Sequence, residues 1–201
     1  MDLNYWSQAD MAHAILSAWL TPESIASATK VGAQRHLIFT STSLAFYSIA
    51  GYGPYSPPKT ALRSLSDTLT QEVLLYTPST VKIHTIFPGG IQTPGFENES
   101  LTKPAITKIL EADDPIQSPE VVAQKSVKGL ENGEYLVVVN FLAQAMRGCA
   151  WGGSKRNNWV TDTAMTWATS IAWMFIGRDL DGKVVKYGNE HGHPSGYAKA
   201  S

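Results

Sequence analysis

The sequence predicts an α/β protein built on a Rossmann-like parallel sheet, and three observations support this. Compact apolar runs at residues 35–41, 81–90 and 134–140 have the length of buried strands. Two stretches with helical periodicity, residues 56–76 and 118–132, separate them. Strands that alternate with helices are typical of an open parallel sheet with helices on its faces. Three strands leave such a sheet incomplete, so the pattern indicates the second half of a doubly wound fold.

The chain opens with a predicted helix over residues 4–20, in which apolar side chains from Trp6 to Trp19 recur at helical spacing. Residues 21–34 are small and polar, which predicts either a loop or a short helical extension. The first strand, "RHLIFTS", follows, and a loop that contains two glycines leads out of it.

The central helix is predicted from Ser56 to about Tyr76. Pro57 and Pro58 fit only in its first turn, where a missing amide hydrogen leaves no hydrogen bond unmade. The side chains expected to face the core are Leu62, Leu65, Leu69 and Val73.

The second strand, "VKIHTIFPGG", ends at a proline and two glycines. Residues 93–117 are rich in helix breakers and predict one short helix near Ile106 to Leu110. Ser118 and Pro119 are typical of an N-cap and a first helical position, so they predict the start of the next helix. That helix leads to the third strand, "EYLVVVN".

Length and composition limit the classes of function. The 201 residues suit one domain, which we divide into a catalytic part, 1–145, and a C-terminal apolar helix with a tail, 146–201. Hydrophobic residues make up 43% and charged residues 16%, so a sizeable core is expected. A net charge of −1 offers no basic surface for nucleic acid. Cys149, the single cysteine, excludes a disulfide framework and a CxxC metal site, and no metal is expected.

The C-terminal segment contains the most apolar stretch, "WVTDTAMTWATSIAWMFI", at residues 159–176. It is about long enough to cross a bilayer, and its three tryptophans suit a membrane interface. Its threonines and the charge of Asp162 weaken the case for a span. A helix packed on the core, a helix at the membrane surface and a membrane span are therefore all open, and membrane association is expected.

Polar side chains are predicted to meet at the carboxyl ends of the strands, which is where ligands bind in a doubly wound sheet. Tyr55 and Lys59 begin the central helix, and residues four apart share a helix face. A bare Tyr-x-x-x-Lys pair is usually a solvated helix face, so the arrangement gains weight only from its neighbours. Those neighbours are Ser41, Thr42 and Ser43 after the first strand, and Pro88, Gly89 and Gly90 after the second.

This set of groups suits the reduction of a ketone. A serine hydroxyl can hold the carbonyl oxygen, and the phenol of a tyrosine can supply the proton. A free phenol has a pKa of about 10, and a lysine close to Tyr55 is expected to lower that pKa. Lys59 could also donate to the ribose of a nucleotide cofactor, and Gly89 lets the backbone approach a ligand closely.

The arrangement resembles the short-chain dehydrogenase/reductase family. The resemblance implies that Tyr55 and Lys59 are the proton donor and its tuning cation, and that Ser41 holds the substrate oxygen, with Thr42 and Ser43 as register alternatives. It implies that Asn4 completes a proton relay, although a helix N-cap is the ordinary explanation for that residue. It also implies contacts to the cofactor from Tyr55, Lys59, Pro88, Gly89, Ile91 and Thr93.

Within that superfamily, "TPGFENESLTKPAITKIL" is similar to the 3-ketodihydrosphingosine reductases. This resemblance implies NADPH-dependent reduction of 3-ketosphinganine to sphinganine in sphingolipid biosynthesis. It places the protein at the cytoplasmic face of the endoplasmic reticulum membrane, and a homodimer is expected. Two prolines at the start of the central helix and a longer insertion between Trp19 and His36 depart from the usual pattern.

The glycine-rich phosphate turn of the family is not found in the sequence. We therefore expect the chain to be a C-terminal portion of such an enzyme. Two alternatives stay open. One is an inactive fragment with only an interaction or membrane-associating role, and the other is a reductase of a different lipid or steroid ketone.

Overall fold

The computed structural model describes residues 1–192, which form a parallel sheet covered by helices. Strands β1 (Arg35–Thr40), β2 (Val81–Phe87) and β5 (Leu136–Val138) make this sheet in the order β1-β2-β5. All pairs are parallel, with Arg35 opposite Val81 and Thr85 opposite Leu136. The predicted α/β class and the three predicted strands are confirmed.

A second, two-stranded parallel sheet joins Gly90–Ile91 (β3) to Ile116–Gln117 (β4). This small sheet pairs the two ends of the segment for which the sequence predicts mostly irregular structure. That segment holds two helices, Pro94–Thr102 (α4) and Ala105–Leu110 (α5). The predicted short helix is α5, whereas α4 was not predicted.

The remaining helices cover the sheet. A π-helical turn, Asp2–Trp6, leads into α1, and the polar segment after α1 is a helix rather than a loop. The central helix α3 ends at Glu72 and continues as a 3-10 turn over Val73–Leu75, close to the predicted end. The bounds are Ser7–Trp19 (α1), Pro22–Lys30 (α2), Ser56–Glu72 (α3), Pro119–Glu131 (α6), Phe141–Ala150 (α7) and Trp159–His191 (α8).

The core lies between the sheet and α3. Leu62 of α3 and Phe87 of β2 are fully buried, and the Phe46 ring lies 4.3 Å from that of Phe87. Leu65 and Leu69 pack at the edge of the same cluster, so the predicted inward stripe of α3 is confirmed. Burial of these side chains fixes α3 over the sheet and so fixes the position of its first turn.

The C-terminal helix α8 packs on α7. Close approach is possible because Gly148 lacks a side chain, since a Cβ there would lie 2.6 Å from the Thr169 hydroxyl. Arg147 is buried and bonds the Leu136 carbonyl, and its guanidinium lies 3.8 Å from both Glu134 and Asp162. The predicted boundary between residues 145 and 146 falls within α7, and the division into two parts stays a prediction.

Within residues 1–192, none of the helices combines the length and the apolar character needed to cross a bilayer. The one predicted feature beyond this range, the end of the C-terminal tail, lies outside the described residues.

Candidate active site

The carboxyl ends of β1 and β2 meet the first turn of α3 at one rim of the sheet. Backbone hydrogen bonds join the loops there, from Ser41 to Ile86 at 2.9 Å and from Ser43 to Pro88 at 2.8 Å. A cavity of about 300 Å³ opens at this rim. Its lining includes all but one of the predicted site residues: Ser41, Thr42, Ser43, Tyr55, Lys59, Pro88, Gly89, Ile91 and Thr93.

Tyr55 is the N-cap residue of α3, and its phenol lies in the cavity. Burial raises the pKa of the Tyr55 phenol above its ordinary value. A hydrogen bond with the Thr42 hydroxyl lowers that pKa, while the charge of Glu99 raises it and the charge of Lys103 lowers it. Because the net direction is upward, the phenol keeps its proton at neutral pH and can act as an acid.

The structure distinguishes between the candidate hydroxyls. The buried Ser41 hydroxyl donates to the Lys59 carbonyl at 3.0 Å, so its proton is used inside the fold. The Thr42 hydroxyl accepts a weak bond from the Leu44 amide at 3.4 Å and lines the cavity together with Tyr55. Which of Ser41, Thr42 and Ser43 would hold a carbonyl oxygen stays a prediction, and the engaged Ser41 proton favours Thr42, the nearest register alternative.

Lys59 lies close to Tyr55. Its ammonium donates to the Thr40 carbonyl at 3.3 Å and lies 5.9 Å from the centre of the Tyr55 ring. Burial lowers the pKa of Lys59. The charge of Lys103 also lowers the pKa of the Tyr55 phenol, and the role of Lys59 as the tuning cation stays a prediction.

Asn4 is the predicted site residue that does not line the cavity. It lies inside the π-helical turn Asp2–Trp6, which packs against α3. Met1 is the N-cap of that turn, so the alternative explanation of Asn4 as a helix N-cap is wrong.

The turn after β2 forms the opposite wall of the cavity. Gly89 is tightly placed, because a Cβ there would lie 2.8 Å from the Asn140 side-chain amide. The Thr93 hydroxyl accepts from the Phe96 amide at 3.2 Å and so caps α4. A Cβ at Gly90 would lie 3.5 Å from the Ile116 side chain, so the wall is closely packed at both glycines.

Comparison with known proteins places this geometry in a family, although no family model matches the chain. A 3-ketodihydrosphingosine reductase of Neurospora crassa is 47% identical over 199 residues, which is 99% of this chain and 54% of the relative. One of Aspergillus fumigatus is 46% identical over 211 residues, 99% of this chain and 57% of the relative. The chain belongs to the short-chain dehydrogenase/reductase family. It spans about half the length of these two relatives.

A solved member of the family shows the same fold. The crystal structure of a short-chain dehydrogenase from Burkholderia cenocepacia, in complex with NADP, superposes with a TM-score of 0.56 at 18% identity. The match covers 76% of this chain and 55% of that one.

The cavity of this short-chain dehydrogenase/reductase chain has a further wall that the sequence did not predict. Glu99, Glu111 and Asp114, here called the carboxylate cluster, line it from α4 and the loop after α5. Lys103 bridges two of them, with its ammonium 2.6 Å from Glu111 and 3.2 Å from Glu99. The ion pairs outweigh the effect of burial and raise the pKa of Lys103.

Tyrosines hold the carboxylate cluster in place beside Tyr55. The Tyr52 hydroxyl donates to Glu99 at 2.9 Å, and the Tyr52 ring lies 5.6 Å from that of Tyr55. The Tyr47 hydroxyl donates to Asp114 at 3.3 Å. The acidic residues of "TPGFENESLTKPAITKILEADD" were the available signal in the sequence, but their spacing alone does not show that they fold over the cavity.

Proposed function

We propose that this chain carries the catalytic groups of an NADPH-dependent reductase that converts 3-ketosphinganine to sphinganine. The observation that carries the proposal is that Thr42, Tyr55 and Lys59 line one cavity with Gly89 and Gly90. The names of the relatives from Neurospora crassa and Aspergillus fumigatus support the substrate, and the NADP-bound neighbour supports the cofactor.

The residues present fit a nicotinamide cofactor. Gly89 and Gly90 leave backbone exposed to the cavity across from Tyr55, and the Lys59 ammonium lies beside the phenol where it can donate to ribose hydroxyls. Pro88, Ile91 and Thr93 complete the wall. The cofactor, when bound, supplies the hydride that reduces the carbonyl carbon.

The side chains provide for the developing alkoxide. The Thr42 hydroxyl donates a hydrogen bond to the carbonyl oxygen, and Tyr55 transfers its proton to the same oxygen as charge builds there. The charge of Lys103 favours the phenolate that this transfer leaves. Lys59 holds the cofactor ribose and the loop end at Thr40 in place.

The substrate and the reaction are tested together by an NADPH oxidation assay with 3-ketosphinganine, in which sphinganine is identified by mass spectrometry. Two proteins are assayed: the 201-residue chain, and a chimera that joins it to the part of the Neurospora crassa reductase outside the match. Formation of sphinganine by either supports the proposal. Failure of both, or a steroid ketone as the preferred substrate, rejects it.

Binding of NADPH by the chain itself is read from the fluorescence of its six tryptophans. Saturable binding contradicts the alternative of an inactive fragment. Absence of binding to the chain, together with turnover by the chimera, assigns the adenosine pocket to the part outside the match.

We further propose that α8 attaches the protein to the cytoplasmic face of the endoplasmic reticulum membrane. Val160, Trp167, Ile171 and Met174 recur at helical spacing, and each is more than 60% exposed. Such a stripe suits insertion into a lipid interface. Flotation with phosphatidylcholine vesicles should recover the chain, and Trp167→Ser with Ile171→Ser should reduce recovery. Equal recovery of both proteins rejects the proposal.

A homodimer is proposed for the same protein, through α1 and α3. Trp6 and Met11 are large apolar side chains exposed on the N-terminal helical segment, where a second copy could cover them. Light scattering after gel filtration tests this, and a monomeric mass at micromolar concentration rejects it.

A further inference from the structure

The carboxylate cluster is part of the catalytic cavity rather than a separate surface feature. Glu99, Glu111 and Asp114 line the same space as Thr42 and Tyr55. The charge of Glu99 also acts on the pKa of the Tyr55 phenol. A ketone whose oxygen lies between the two catalytic hydroxyls therefore has neighbouring substituents close to these carboxylates.

Charges in this part of the cavity do not balance. Lys103 is only 6% exposed at its side chain and is paired with Glu99 and Glu111. Asp114 receives a hydrogen bond from Tyr47, but among residues 1–192 no lysine, arginine or histidine forms an ion pair with it. Three carboxylates thus share one ammonium, and Asp114 is the one that makes no direct ion pair with it.

The cavity keeps this carboxylate although burial opposes it. Burial and the charges of Glu111 and Asp113 raise the pKa of Asp114, while the Tyr47 hydroxyl and the more distant charge of Lys103 lower it. A partly buried carboxylate with a hydrogen bond but no counter-ion is best satisfied by a cation that arrives with a ligand. The substrate under the proposed function carries such a cation, because an ammonium group stands on the carbon next to its carbonyl.

We propose that Asp114, held by Tyr47, binds the ammonium group of the substrate and makes the enzyme selective for 2-amino ketones. This inference rests on the proposed function for the identity of the ketone. The segment that carries the cluster, residues 93–115, is the one whose sequence resembles the 3-ketodihydrosphingosine reductases. Glu99 and Glu111, fixed by Lys103, keep the surroundings negative and repel a competing anion.

The test compares two soluble ligands by calorimetry on the 201-residue chain: an eight-carbon sphinganine and the same diol without the amino group. Wild type should bind the amine at least about tenfold more tightly, as expected of a charge-assisted hydrogen bond. Asp114→Asn should reduce this ratio to within about twofold. Asp113→Asn is the matched control, because Asp113 is the adjacent carboxylate and is exposed; it should leave the ratio unchanged.

Several results would overturn the inference: no binding of the amine, equal binding of both ligands by wild type, or equal loss of both in Asp114→Asn. If circular dichroism shows that Asp114→Asn does not fold, the wild-type ratio and the variant Tyr47→Phe test the inference instead. Tyr47→Phe keeps the Asp114 carboxylate and removes the hydrogen bond that holds it, so it should weaken binding of the amine but not of the diol. Turnover separates this inference from the proposed function. Selective binding of the amine without ketone reduction rejects the function and leaves the ammonium site standing.

Discussion

The proposal that Thr42, rather than Ser41, holds the carbonyl oxygen gives a sharp prediction. Thr42→Val removes the hydroxyl that lines the cavity with Tyr55 and keeps the shape of the side chain. Ser41→Ala removes a neighbouring hydroxyl that bonds the Lys59 carbonyl at 3.0 Å. The two variants are matched, because each deletes one buried oxygen from adjacent positions of the same loop.

The expected magnitudes differ because the two hydroxyls have different partners. Loss of a donor to a developing oxyanion lowers kcat by about 100- to 1000-fold, so we expect that range for Thr42→Val. The Ser41 bond is a neutral contact within the fold, worth about 1 kcal/mol of unfolding free energy. Ser41→Ala should therefore lower stability by about that amount and change kcat by less than about threefold.

Steady-state reduction of 3-ketosphinganine, followed by NADPH absorbance, measures kcat for both variants in the chimera. Thermal unfolding of the same samples measures stability. A larger fall in kcat for Ser41→Ala than for Thr42→Val would refute the reasoning, and so would an unchanged kcat in a folded Thr42→Val protein.

Three further predictions concern the walls of the cavity. Gly51→Ala should lower the free energy of unfolding by about 2 kcal/mol or more, because Gly51 has a φ of +99° and an added Cβ would collide with the Thr107 hydroxyl. The measurement is the midpoint of urea unfolding, which Gly53→Ala should change little because a Cβ at Gly53 meets open space. Lys103→Met should lower the free energy of urea unfolding by about 2–3 kcal/mol, because it leaves Glu99 and Glu111 without their buried partner. A free energy of unfolding equal to that of wild type would contradict the ion-pair geometry. Because burial raises the pKa of Asp114 in the folded state, that state binds more protons, and stability falls as pH rises from the unfolded pKa of about 3.9 through the higher folded pKa. Asp114→Asn should therefore melt at a higher temperature than wild type at pH 7, and the difference should disappear near pH 3; a lower melting temperature at pH 7 would contradict this.

Most of the sheet could be predicted from the sequence because its strands are nearly continuous apolar runs. "VKIHTIF" is buried along almost its whole length, and a turn with Pro88 and Gly89 marks its end. The central helix was equally accessible, since Leu62 and Val73 lie on its buried face and two prolines mark its start.

Helices with weak apolar periodicity escaped prediction. In α4 (Pro94–Thr102) the only large apolar residues are Phe96 and Leu101, so no stripe is visible. The usable signal was the cap, because Thr93 followed by Pro94 is a typical helix start. Helix α7 was missed although it has an apolar face, with Ala143 and Met146 buried, and although Asn140 caps it by accepting from the Ala143 amide at 2.7 Å.

At the site, the sequence indicated which residues gather at one rim of the sheet, apart from Asn4, but not the hydrogen-bond partners of their side chains. Ser41 and Thr42 are adjacent, and only the fold shows that the Ser41 hydroxyl bonds the Lys59 carbonyl. The effect of the Lys103 charge on the Tyr55 phenol could not be predicted from the sequence either. Lys103 lies 48 positions after Tyr55 and comes near it only through the fold of α4. Spacing along a helix predicts neighbours within one element, while contacts between loops depend on the whole sheet.

The central claim is that the Tyr55 phenol supplies the proton to the substrate ketone. Its most direct test is the rate of 3-ketosphinganine reduction by Tyr55→Phe in the chimera, with folding checked by circular dichroism. Loss of a positioned general acid should lower kcat by about 100-fold to 10,000-fold without loss of structure. A folded Tyr55→Phe protein that reduces the ketone at the wild-type rate would contradict the account.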